Sequence, residues 1–150
     1  MPDSDTVFML EALELARRAE RKGEVPVGAV VVVSREIIGR GSNSPLETLD
    51  PTAHAEILAL RDAAKNTRNY RLTDATLYAT LEPCPMCAGA LVAARVRRLV
   101  FAARDLRFGG VRSKFRIADS ELLNHRVQVD EGLLGSECTL LLQTFFAKRR

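Results

Sequence analysis

Residues 75–105, ATLYATLEPCPMCAGALVAARVRRLVFAARD, carry the clearest topological instruction in the chain. ATLYATL (75–81) is a short apolar run rich in strand-favouring residues and reads as a buried strand. Pro83 to Ala94 is Ala-rich with Pro near its start and reads as a helix. RRLVFAA (97–103) then supplies a further strand. A strand, a helix and a strand joined by short loops place the two strands parallel, with the helix crossing one face of the sheet.

Working outward, Met9, Ala12, Leu13, Ala16 and Ala19 recur at helical spacing opposite Arg17, Arg18, Glu20 and Arg21, which predicts an amphipathic first helix. VPVGAVVVV (25–33) reads as a buried strand, and a polar turn at Ser34-Arg35-Glu36 leads into IIGRGSN (37–43), so the pair forms a hairpin. Asp50-Pro51 offers an N-cap followed by Pro at the first helical position, predicting a helix from there through Ala64. Beyond Ala103 the pattern predicts a Gly-containing basic loop, a short helix, a strand near RVQV (126–129) and a terminal helix from Ser136 to Lys148. The whole is an α/β chain: one domain over 1–150, with three α/β/α layers around a mixed sheet of about five strands.

The chain has 150 residues, of which 47% are hydrophobic, enough for a packed core and against disorder. Lys and Arg number 22 against 19 Asp and Glu, a mild excess of +3. Its placement is uneven: Arg95 to Arg116 holds eight basic residues and one acid, Asp105, which fits a phosphate-bearing partner. The opening MPDSDTVFML is acidic and leads straight into a helical pattern, so no signal peptide is expected. AVVVV (29–33) is far too short to span a bilayer. The expectation is a soluble cytoplasmic protein, without membrane contact, whose three cysteines bind metal or do chemistry.

His54 and Glu56 lie two apart, and Cys84 and Cys87 three apart, in otherwise apolar surroundings. Residues i and i+2 point about 200° apart on a helix, so His54 and Glu56 serve one ligand only from a helix start. Cys84 and Cys87 share a face at the start of the next helix. Two helix N-termini aimed at one point favour anionic thiolates there. One imidazole and two thiolates suit Zn2+, one ion per chain, and leave a fourth position for water. Two thiolates neutralise the ion's charge, so a proton acceptor is needed beside it, and Glu56 is the candidate. A closed structural zinc would need a fourth protein ligand, for which only His125 and Cys138 remain. A redox C-x-x-C explains neither His54 nor Glu56.

H-x-E followed by P-C-x-x-C resembles the signature of the zinc nucleobase deaminases. EVPVGAV (24–30), DPTAHAE (50–56), LEPCPMCAGA (81–90), FAARD (101–105), NHRV (124–127) and the closing FFAKRR extend the resemblance to the bacterial tRNA-specific adenosine deaminases, over nearly the whole chain. The resemblance implies a cytidine-deaminase-like fold and a homodimer. It also implies hydrolysis of the wobble adenosine of a tRNA anticodon stem-loop to inosine by a zinc-activated water. His54, Cys84 and Cys87 match the zinc ligands, Glu56 the proton shuttle, and Asn43 the asparagine that hydrogen-bonds the target base. The alternative role for Asn43 is an Asx turn at a strand end.

Ala55 and Pro83, beside the ligands, belong to the expected substrate pocket. Arg104, Asp105, Arg107 and Arg149 are expected on the RNA, with Asp105 either accepting from a ribose 2′-hydroxyl or pairing with Arg104 or Arg107. Phe145 and Phe146 either stack bases or anchor the last helix. Where the family shows Lys, Gly-Ala and Gly-Ser after the Asp, this chain has Arg107, Gly109-Gly110 and Arg112-Ser113. A zinc deaminase of a free base or nucleoside, guanine or cytidine, shares the metal motif, but the basic 95–116 segment and the C-terminal AKRR are superfluous for such a substrate.

Overall fold

The computed structural model describes residues 3–149. In chain order the elements are α1 (Ser4–Arg21), β1 (Gly28–Val33), β2 (Glu36–Ser42), α2 (Pro45–Thr48) and α3 (Ala55–Thr67), then β3 (Thr76–Leu81), α4 (Pro85–Ala93), β4 (Arg98–Ala103), β5 (Gln128–Glu131) and α5 (Gly135–Ala147). The five strands form one sheet in the order β2-β1-β3-β4-β5. β1 is antiparallel to both β2 and β3, whereas β3, β4 and β5 run parallel.

Helices cover both faces, which is why the inner strands read as unbroken apolar runs rather than alternating ones. Ala29, Val31, Leu77, Ala79, Leu99 and Phe101 point to the α3/α4 side. Their neighbours Val30, Val32, Tyr78, Val100 and Ala102 point to the other side, against Phe8, Met9, Ala12 and Leu13 of α1 and Cys138 of α5. α1 opens on the Asp3 carboxylate, which accepts from the Thr6 N–H at 2.9 Å. Tyr78 and Arg98 both bind Asp5, tying the start of α1 to β3 and β4.

The position of α3 depends on missing side chains in β2. A Cβ at Gly41 would stand 2.1 Å from the Ala55 carbonyl oxygen, and one at Gly39 would stand 2.4 Å from that of Ala59. The helix lies directly on the strand backbone there, so its first turn has one available position.

Several expectations change. Asp50-Pro51 does not open α3: the Asp50 carboxylate accepts from the Thr52 N–H at 2.8 Å and its hydroxyl at 2.7 Å, closing a local turn instead. The helix starts at Ala55 with His54 as its N-cap, and α2 precedes it unforeseen. α4 begins at Pro85 with Cys84 as N-cap, two residues later than expected. No helix forms among residues 104–127, which run as consecutive turns. The last strand and helix are displaced by only one or two residues. The hairpin turn is tighter than expected, with Ser34 at φ 51° and Arg35 at φ 64°, the two-residue geometry that matches strand twist.

Candidate active site

His54 caps α3 and Cys84 caps α4, so both helix N-termini converge, with Glu56 and Cys87 in the first turns behind them. His54 Nδ1 lies 3.6 Å from Cys84 Sγ and 3.5 Å from Cys87 Sγ. Zinc bonded at about 2.05 Å to nitrogen and about 2.3 Å to sulfur, at tetrahedral angles, would hold N and S about 3.6 Å apart. Both N–S distances therefore already match zinc spacing, the three candidate ligand atoms lie within 4.8 Å of one another, and Glu56 is outside that group.

Protonation follows the geometry. A hydrogen bond from Cys87, together with His54, holds Cys84 down to about 4, so it is a thiolate. Cys87 keeps the shared proton, and its hydrogen bond to Cys84 plus burial push its thiol well up. The bond to Cys84 also raises His54. Burial pushes Glu56 up to about 7, where a carboxyl both takes up and returns protons near neutrality. Cys138 is the third free cysteine, buried in α5 and away from the group.

His54, Glu56 and Cys84 lie in the wall of a cavity of about 1210 Å³. Asn43, Arg104, Asp105, Arg107 and Arg149 line it with them. Ala55 and Pro83 are buried and do not line it; the Pro83 carbonyl accepts from Gly110 N–H at 2.8 Å. Phe145 is 3% exposed and lies beneath the Arg149 guanidinium, 3.6 Å from its ring centroid, while Phe146 takes the place on the wall. The Asn43 amide donates to the Val25 carbonyl at 3.3 Å.

Asp105 makes neither expected ion pair among the described residues. Its carboxylate accepts from the N–H groups of Arg107 and Phe108, each at 3.1 Å. Arg104 is instead held by Glu131, and Arg112 by Asp119.

Two site-shaping residues were missed. Glu24 is buried and accepts from the N–H groups of Leu46 and Glu47, capping α2 from a distance. Glu82 is buried between β3 and the first thiolate. Burial raises its carboxyl, but hydrogen bonds from Ser113, Arg112 and Asp105 outweigh that and hold it below its ordinary value. An acid inside an otherwise apolar run was the only sign of either.

Two helix N-termini presenting His, Cys and Cys to one ion, with an unliganded Glu beside it, define a zinc hydrolase site. Residues 2–103 match the model of the cytidine and deoxycytidylate deaminase zinc-binding region. The chain belongs to that family and is a zinc-dependent deaminase. It is 54% identical over 147 residues to the tRNA-specific adenosine deaminase of Haemophilus influenzae, covering 97% of this chain and 85% of that protein. Identity to the tRNA-specific adenosine deaminase of Bacillus subtilis is 44%, covering 97% and 91%. Among solved structures, a tRNA:A34 deaminase of A-to-I editing at the wobble position superposes with a TM-score of 0.88 at 44% identity, covering 91% of this chain and 99% of that one. Guanine deaminase from Nitrosomonas europaea superposes at 0.80 with 29% identity, covering 95% and 84%.

Proposed function

We propose that this protein hydrolyses the wobble adenosine of a tRNA anticodon stem-loop to inosine, as a single deaminase domain acting in the cytoplasm as a homodimer. The observation that carries the reading is the wall of the cavity. Arg107 and Arg149 share it with the zinc-site residues, as do Phe108 and Phe146. A free base needs no cations or exposed rings there; a splayed RNA loop uses both. Relatives named for tRNA deamination match at higher identity than the guanine deaminase does.

His54, Cys84 and Cys87 would hold the zinc, which when bound would supply the Lewis acidity that makes a water nucleophilic near neutral pH. Glu56 takes one proton from the attacking water as its oxygen adds to C6 of the purine, and passes it to the ring nitrogen. It then takes the second proton, from the new C6 hydroxyl, and passes it to the amine as the C6–N bond breaks, so water and adenosine become inosine and ammonia. Donation to Val25 fixes the Asn43 amide and leaves its oxygen and second N–H for the purine edge. Asp105, at the rim, is the acceptor we assign to a ribose 2′-hydroxyl.

The test is a substrate panel: anticodon hairpin, free adenosine, guanine and cytidine, each scored for ammonia and product. Inosine in the hairpin alone is expected. The log of the hairpin binding constant should fall by roughly 0.7 per log unit of salt for each phosphate contact, about 1.4 in all for Arg107 and Arg149. Free guanine or adenosine processed as efficiently as the hairpin overturns the reading.

Support for a dimer comes from α4. PMCAGALVA carries no charge, yet only Cys87, Ala88, Leu91 and Val92 are buried. Met86 is exposed and Gly89 half-buried with open space beside it, and the 104–127 loop exposes Leu106, Phe108 and Phe115. A side chain at Gly89 meets nothing within 4 Å, so Gly89→Arg fits the protomer and favours the helix by about 1 kcal/mol. Light scattering should show wild type at twice the chain mass and Gly89→Arg at the chain mass with zinc retained. Equal masses for the two proteins count against the dimer.

A further inference from the structure

Glu82 lies two residues before Cys84 and is 2% exposed, yet no cation pairs with it among the described residues. Its carboxylate is matched by loop donors instead. Oε1 accepts from the Asp105 N–H at 3.0 Å and from the Ser113 hydroxyl. Oε2 accepts from the N–H groups of Val111 at 3.1 Å, Arg112 at 2.7 Å and Ser113 at 2.9 Å. Backbone N–H groups converging in this way form an anion-binding concavity, and here the anion is a side chain.

The donors bracket a segment. Residues 106–110 run between Asp105 and Val111, the two ends fastened to one carboxylate. That segment carries Leu106, Arg107 and Phe108, which line the cavity. Leu106 and Phe108 are exposed, so no apolar burial fixes them. The segment is also pressed onto the carboxylate: a Cβ at Gly109 would stand 2.3 Å from Glu82 Oε2, and one at Gly110 2.6 Å from Pro85 N.

We propose that Glu82 is a positioning residue for substrate: its buried carboxylate holds residues 105–110 at a fixed place relative to the zinc ligands, and so sets RNA affinity without taking part in the chemistry. The inference rests on the RNA reading above. Glu82→Gln keeps shape and volume but turns an amide NH2 toward donors that need an acceptor. The loop then loses its anchor while Cys84, held by the α4 start and by His54, stays in place.

The experiment uses zinc-loaded protein and the anticodon hairpin, measuring zinc content, KM and kcat for Glu82→Gln and, separately, Gly109→Ala. The latter displaces the same segment while leaving the carboxylate intact. For both variants KM should rise tenfold or more, with kcat at saturation within about threefold and zinc still one per chain. Amide exchange at Val111 to Ser113 should speed up in Glu82→Gln. If Glu82→Gln fails to fold, Gly109→Ala carries the test alone. An unchanged KM, or a loss of zinc with kcat and KM falling together, overturns the proposal and leaves Glu82 as a support of the metal site. A wild-type protein inert on the hairpin overturns the RNA reading instead, so the two failures are distinct.

Discussion

Glu56→Gln should keep one zinc per chain and lose turnover by a factor of about 10²–10⁴, the usual share of general acid–base catalysis. That corresponds to about 2.7–5.4 kcal/mol of barrier. Metal retention follows because the zinc-spaced group is His54, Cys84 and Cys87, with Glu56 outside it. Glutamine matches the shape of the buried side chain but cannot carry a proton from water to the purine. Stability gives a second readout. Burial already disfavours the Glu56 carboxylate, pushing it up to about 7, so a neutral amide at that place removes an unfavourable charge. The variant should therefore melt no lower than wild type, and it should bind the hairpin as before. Zinc analysis, thermal melting and single-turnover deamination measure the three quantities. Activity within tenfold of wild type would remove Glu56 from the proton path.

The β3–α4–β4 unit was legible because its strands are buried on both faces and its helix opens on Pro85. Period and punctuation are local signals, and they sufficed there. The zinc group was equally legible, because ligand chemistry fixes residue type and the helix starts fix spacing. The rest depended on partners distant in sequence. α2 is capped by Glu24, more than twenty residues away. The turns of 104–127 are organised by Glu82 and by the Arg112–Asp119 pair, so no local pattern announces them. α3 was misplaced because Asp50, a good N-cap type, satisfies itself with Thr52.

The basic run from Arg95 to Arg116 misled in a different way. Arg98 begins β4 and pairs with Asp5 and Asp130, while Arg104 lies just past its other end and pairs with Glu131. A six-residue strand between them spans about 20 Å, so contiguity in sequence was not contiguity on the surface. Of the run, Arg107 is left at the cavity without an acidic partner among the described residues.

Cys87→Ala should empty the metal site. Cys87 is fully buried in the first turn of α4, and its sulfur is one of the three atoms grouped to hold the ion. Losing an outer-shell partner of a ligand already costs about 10–100-fold in affinity, so losing the ligand itself should cost more than 100-fold. Zinc stabilises only the fold that assembles His54 with the two thiolates, so each hundredfold in affinity removes about 2.7 kcal/mol of stability at saturating metal. The comparison that isolates this effect is made twice, with zinc and with excess chelator. With zinc, Cys87→Ala should unfold well before wild type. In chelator the gap should shrink to the cost of one small cavity, about 1 kcal/mol. Cys138→Ala is the control. That thiol is buried against the α1 side of the sheet, outside the group of His54, Cys84 and Cys87, and burial raises it to about 11. It should lose only packing, with the same gap in zinc and in chelator. A Cys87→Ala protein that still carried one zinc per chain would require a fourth protein ligand able to step in. Glu56 lines the same cavity, and its recruitment as that ligand would silence the enzyme even with the metal bound.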